Sequence, residues 1–187
     1  MKGCKAFIIG GSAGSLDVLL KVLPAVSIDI AFPIIIVVHR KQGTDSLLSD
    51  LLSSKTRLRV KEIEEKEMIL PQTVYIVPSD YHLLIEKDHT FSFDYSEKVN
   101  YSRPSIDVTF QSAAEVYTNK LACLLLSGSN ADGVNGLITV KSYGGEIAVQ
   151  DPASAQVDYM PAQAISRANV DHVLQIEDMA AYINALS

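Results

Sequence analysis

Short unbroken runs of apolar residues recur along this chain, and most are followed by a segment whose apolar positions repeat every three or four residues. The runs lie at residues 6–9, 34–38, 121–126 and 146–149, with a shorter one at 172–174. Apolar runs of this length without polar alternation predict strands buried on both faces. Helical patterning falls at residues 16–23, 45–53, 133–142 and 177–186; in the second of these Leu47, Leu48, Leu51 and Leu52 share one face. Gly144-Gly145 reads as the stop of the third helix. Strands and helices alternating in this way predict an α/β fold, doubly wound, with a mostly parallel sheet and helices on both faces.

The middle of the chain breaks the rhythm. Segments 60–63, 73–77, 82–86 and 90–94 are short and joined by prolines and charged turns. They predict a small antiparallel excursion, with a hairpin region near residues 73–94 and a tip at Asp88-His89. No repeat, low-complexity tract or linker interrupts the pattern. Residues 1–187 are therefore expected to form one domain, long enough to bury a single sizeable core.

Composition narrows the function. A net charge of −6 argues against nonspecific nucleic-acid binding, which needs a basic face. The longest apolar stretch, residues 30–38, is too short to span a bilayer and contains Pro33, so no membrane insertion is expected. The N-terminus does not read as a signal peptide. Cys4 and Cys123 form no metal or disulfide framework, and Cys123 reads as a small buried hydrophobe. Together these features favour the cytoplasm. No HxH, HExxH or Cys/His cluster supports a metal site.

The chemistry concentrates where the first strand ends. Gly10-Gly11-Ser12-Ala13-Gly14 matches G-x-S-x-G between an apolar run and a helical segment, the context of a nucleophile elbow. The turn lifts the Ser12 hydroxyl clear and leaves N–H groups of the helix start, Ala13 among them, to face a developing negative charge. His39 follows the second strand, and Asp132 lies just past the run at 121–126. A serine, a histidine and an aspartate at strand carboxyl ends are the parts of a nucleophile–base–orienter triad. Each also has a plain structural reading. Ser12 or Asp132 could be a helix N-cap, and His39 a polar strand terminator. The order Ser…His…Asp differs from that of the α/β-hydrolases. A dinucleotide site fits poorly, because Ser12 and Ser15 stand where the second and third glycines of G-x-G-x-x-G belong.

Several segments, in order, resemble the catalytic domain of the chemotaxis protein-glutamate methylesterases (the CheB family). They are Ile8-Ile9-Gly10-Gly11-Ser12-Ala13-Gly14, Val38-His39, Tyr75 through His82, Arg103-Pro104-Ser105-Ile106-Asp107-Val108, Ser127-Gly128 through Asp132-Gly133, and Met160-Pro161. The resemblance implies Ser12, His39 and Asp132 as the catalytic triad and a doubly wound domain needing no metal or organic cofactor. It implies hydrolysis of glutamate γ-methyl esters on the methylated cytoplasmic helices of chemoreceptors, with glutamine deamidation beside it. It also implies a regulatory receiver domain, which residues 1–187 do not contain. Ser129 stands where the family has a methionine associated with the oxyanion hole, Asn130 where it has a glycine, Ala13 where threonine is frequent, and Tyr159 where a glycine usually precedes Met-Pro.

The expected function is thus a serine carboxylesterase, with the Ala13 and Ser129 N–H groups holding the oxyanion. Two alternatives stay open: a catalytically weakened receptor- or adaptor-binding module, and an esterase acting on a small-molecule ester.

Overall fold

The computed structural model describes residues 3–40 and 45–187. In chain order the elements are β1 (Ala6–Gly11), α1 (Ser15–Val22), β2 (Ile34–Val38), α2 (Asp45–Ser53), β3 (Arg59–Glu62), β4 (Thr73–Ile76), β5 (His82–Ile85) and β6 (Phe91–Asp94). They continue with α3 (Ile106–Tyr117), β7 (Leu121–Leu125), α4 (Val134–Ser142), β8 (Glu146–Gln150), α5 (Tyr159–Arg167), β9 (His172–Leu174) and α6 (Ile176–Ala185).

Seven strands form one sheet in the order β3-β4-β2-β1-β7-β8-β9. Every neighbouring pair in it is parallel. Side chains of β1 alternate between two core layers. Phe7 and Ile9 pack in one layer with Leu19 of α1, Leu52 of α2 and Ile183 of α6. Ala6 and Ile8 enter the other, with Phe110 of α3, Leu137 of α4 and Ala164 of α5. Helices therefore cover both faces, as the unbroken apolar runs predict.

The middle of the chain is organised differently from its local pattern. β3 and β4 are parallel members of the main sheet, and only β5 and β6 pair antiparallel. β3 is an edge strand with Arg59 exposed and its other residues half-buried. That half-polar composition is shared by edge strands and hairpin strands alike. The hairpin tip lies where expected: His89 N–H donates to Glu86 O at 2.9 Å and Glu86 N–H to Thr90 O at 2.9 Å.

Two helices carry little sequence signal. α3 contains β-branched Ile106, Val108, Thr109 and Val116, which weaken helical preference. α5 has Pro161 in its first turn, where an absent N–H costs nothing, although a proline in sequence reads as a breaker.

The order of strands reverses at β1, which lies between β2 and β7. Such a switch point opens a crevice at the carboxyl ends of the strands. Gly10 shapes that crevice. A Cβ there would lie 2.5 Å from Ile106 Cγ2, so only glycine lets the first residue of α3 rest on β1.

Candidate active site

Register brings the first two candidate residues together. Gly11 of β1 pairs with Val38 of β2, and His39 N–H donates to Gly11 O at 3.1 Å. Ser12 and His39 therefore leave adjacent strands side by side. Ser12 N–H donates to Ser127 O at 2.9 Å, tying the end of β1 to the end of β7. The N-cap of α1 is Gly14 at φ 84°, a left-handed conformation suited to glycine. Ser12 Oγ makes no hydrogen bond among the described residues and so does not cap the helix. Its carbonyl is used instead, accepting Ser15 Oγ–H at 2.6 Å. The N–H groups of Ala13 and Ser129 donate to no acceptor among the described residues, and both residues are exposed.

Asp132 is fully buried and accepts from three side chains and a helix start. His39 Nε2–H donates to Oδ2 at 2.7 Å. Ser105 Oγ–H donates to Oδ1 at 2.7 Å and Asn100 Nδ2–H to Oδ1 at 2.9 Å. The N–H groups of Ile106 and Asp107 donate at 2.7 and 3.2 Å. Asp132 thus caps α3, a helix distant in sequence, while Gly133 at φ 93° starts the helix next to it. Burial pushes the carboxyl up, but the bonds from His39, Asn100, the Ile106 N–H and Ser105 outweigh it and hold it below the ordinary carboxylate range.

An ionised acceptor at Nε2 places the imidazole proton there, leaving Nδ1 as the lone-pair nitrogen. Ser102 Oγ lies 3.3 Å from Nδ1. Ser12 and His39 both line a cavity of about 420 Å³ walled by Leu16 and Leu19 of α1 and Leu48 and Leu51 of α2. Behind Ser12, the buried Met160 packs against Gly128; a Cβ on Gly128 would lie 2.4 Å from Met160 Cε and 3.0 Å from Ser12 Cβ. The structure thus joins His39 to Asp132 directly and sets Ser12 on the same cavity wall without a hydrogen bond to His39. Among the described residues no group of three or more His, Cys, Asp or Glu side chains is gathered for a metal ion.

Four residues at this site carry no role in a reading of the sequence alone: Asn100, Ser102, Ser105 and Asp107. Ser105 has a local signal, a serine one place before a helix. Nothing local shows that this helix start points at Asp132. Asn100 and Ser102 lie in an irregular segment with no periodicity to read.

A family model described as CheB methylesterase matches residues 7–183. The chain belongs to the CheB methylesterase family. A Leptospira interrogans relative is 45% identical over 176 residues, covering 94% of this chain and 91% of its own length. A Thermotoga maritima relative named protein-glutamate methylesterase/protein-glutamine glutaminase is 36% identical; the match covers 91% of this chain and 50% of that protein. The chain therefore spans about half the length of that relative and nearly all of the Leptospira one. The crystal structure of the Thermotoga maritima CheB methylesterase catalytic domain superposes with a TM-score of 0.95 at 33% identity, covering 98% of this chain and 99% of that one. The doubly wound architecture is that of the CheB catalytic domain. No helix among the described residues is long and apolar enough to cross a membrane.

Proposed function

We propose that this CheB-family chain, acting as one catalytic unit over residues 1–187, hydrolyses glutamate γ-methyl esters on the methylated cytoplasmic helices of chemoreceptors. The same site deamidates glutamine at such positions. The observation that carries this reading is the 2.7 Å bond from His39 Nε2 to the buried Asp132 carboxylate, on a cavity that Ser12 also lines. Because Nε2 is committed to Asp132, Nδ1 is the base. Ser12 Oγ rotates toward Nδ1 in place of Ser102 Oγ, gives up its proton there and attacks the ester carbonyl. Asp132 stabilises the imidazolium that forms. The Ala13 and Ser129 N–H groups, which donate to no acceptor among the described residues, hold the tetrahedral oxyanion. Collapse expels methoxide, which takes the Nδ1 proton and leaves as methanol. A water activated at Nδ1 then cleaves the glutamyl-enzyme to free glutamate and Ser12. With glutamine the first leaving group is ammonia. The leucine wall beside Ser12 accommodates the methyl group and apolar neighbours on the substrate helix. The reaction belongs in the cytoplasm, and a receiver domain would regulate this unit from outside residues 1–187.

Methanol release from methylated receptor fragments tests the reading, with binding measured on the same preparation. Wild type is expected to release methanol, and Ser12→Ala to bind without release. Binding by wild type with no turnover, where another methylesterase turns over the same fragments, would overturn it in favour of a binding module.

A further inference from the structure

Two buried carboxylates meet beside the proposed triad, and the way the helices start forces them together. Asp132 precedes α4 but caps α3. Asp107 lies in the first turn of α3 but accepts the Gly136 N–H of α4 at 2.6 Å. Each helix start is thus closed by the acid of the other. Asp132 is 0% and Asp107 3% exposed, so water does little to screen their repulsion. Among the described residues no lysine or arginine bonds either carboxylate. Arg40 donates to Val77 O at 2.7 Å, and Arg103 pairs with Asp80 at 3.2 Å.

One side chain serves both acids. Asn100 Nδ2 donates to Asp132 Oδ1 at 2.9 Å and to Asp107 Oδ2 at 2.8 Å. An amide –NH₂ has two hydrogens, one for each carboxylate, and no charge to draw Asp132 away from His39. Asn100 also sits at φ 50°, a left-handed conformation that asparagine tolerates better than most residues. Backbone and side chain therefore both call for asparagine here.

We propose that Asn100 is a positioning residue of the triad, its amide bridging Asp107 and Asp132 so that Asp132 stays aligned on His39. The strain it relieves is visible in Asp107, whose carboxyl is pushed up by burial first and by the charge of Asp132 as well. This inference rests on the triad reading but not on the identity of the natural substrate.

Its test uses the rate of Ser12 phosphonylation by a fluorophosphonate, resolved into maximal rate and half-saturating concentration, with folding followed by circular dichroism. Asn100→Gly removes the amide and keeps the left-handed backbone accessible. It is expected to lower the maximal rate about 10- to 100-fold, the worth of one bond to a charged group, with half-saturation unchanged. Adding Asp107→Asn removes the uncompensated like charge and is expected to restore most of that loss. A merely structural role predicts that the two losses multiply, and that result overturns the proposal. So does an unchanged maximal rate in Asn100→Gly while wild type is labelled at Ser12. If Asn100→Gly does not fold alone, recovery of folded, labelled protein by the added Asp107→Asn supports the bridge, and no recovery overturns it. Wild type left unlabelled would end the triad reading itself, and this inference with it.

Discussion

Asp132 does two jobs with one carboxylate. It holds His39, and it closes the start of α3 through Ser105, Ile106 N–H and Asp107 N–H. Activity and stability should therefore part company across the triad. Ser12→Ala and His39→Ala are expected to lose on the order of 10⁴–10⁶ in kcat, the double variant little worse than either, because triad members act as a unit. Ser12→Ala should keep a melting temperature near wild type, since Ser12 Oγ bonds nothing among the described residues, whereas His39→Ala removes the 2.7 Å bond to buried Asp132 and should lower it. Asp132→Asn should lose activity and also roughly 3 kcal/mol of stability in urea, because an amide cannot accept all these donors. Retained stability in Asp132→Asn would show that α3 does not depend on this cap. The thiols supply a separate check. Burial pushes Cys4 up to about 11 and Cys123 well above its ordinary value. Alkylation at pH 8 should leave both cysteines and the esterase activity untouched until denaturant is added. Inactivation by alkylation of native protein would place a thiol in the chemistry.

At the scale of elements, the decisive contact is the start of α3 against the end of β1. Gly10 allows it, and Ile106 occupies the space a Cβ would take. Through that contact α3 presents its first N–H groups to Asp132. Gly10→Ala should force Ile106 away and cost about 1–3 kcal/mol, as overpacking does. Because the displaced helix carries the donors of Asp132, kcat should fall too, although Gly10 is buried in β1 and does not line the cavity beside Ser12. A companion change of Ile106→Leu, which removes the colliding Cγ2 branch at similar volume, should recover part of both losses. Urea midpoints and kcat measured on the same three variants check this. Gly10→Ala with wild-type stability and activity would mean that α3 does not need the close approach.

For the molecule as a whole, the two buried acids pull stability in opposite directions with pH. The folded-state carboxyl of Asp132 lies below its ordinary value, so the unfolded chain takes up the proton first. Its contribution is fully present above the unfolded value near about 3.9 and is lost as pH falls through the folded one. Asp107 is raised in the folded state, so its buried charge costs stability at neutral pH, and that cost fades as pH falls through its raised value. The stability gap between wild type and Asp132→Asn should thus hold steady above about pH 5 and narrow below about pH 4. Urea midpoints from pH 8 to pH 3 measure it. A gap that widens in acid would contradict the ionised, multiply bonded Asp132.

What the sequence by itself determined is local. An unbroken apolar run ends at a glycine turn, and this places Ser12 at the tip of β1 whatever the rest of the chain does. His39 after β2 and Asp132 after β7 follow from the same rule, since strands buried on both faces leave polar residues only at their ends. Which ends meet is a different matter. His39 and Asp132 lie 93 residues apart, and only the strand order, with β1 between β2 and β7, brings them to 2.7 Å. The same limit explains β3, whose half-polar residues cannot announce whether its partner β4 is parallel or antiparallel. It explains α3, weakly helical in sequence and held by packing on Gly10 and by the carboxylate of Asp132. Reciprocal capping and the Asn100 bridge lie wholly on the tertiary side. A hydrogen bond between distant segments leaves no period in the chain, and its energy is realised only once both helix starts are buried against each other.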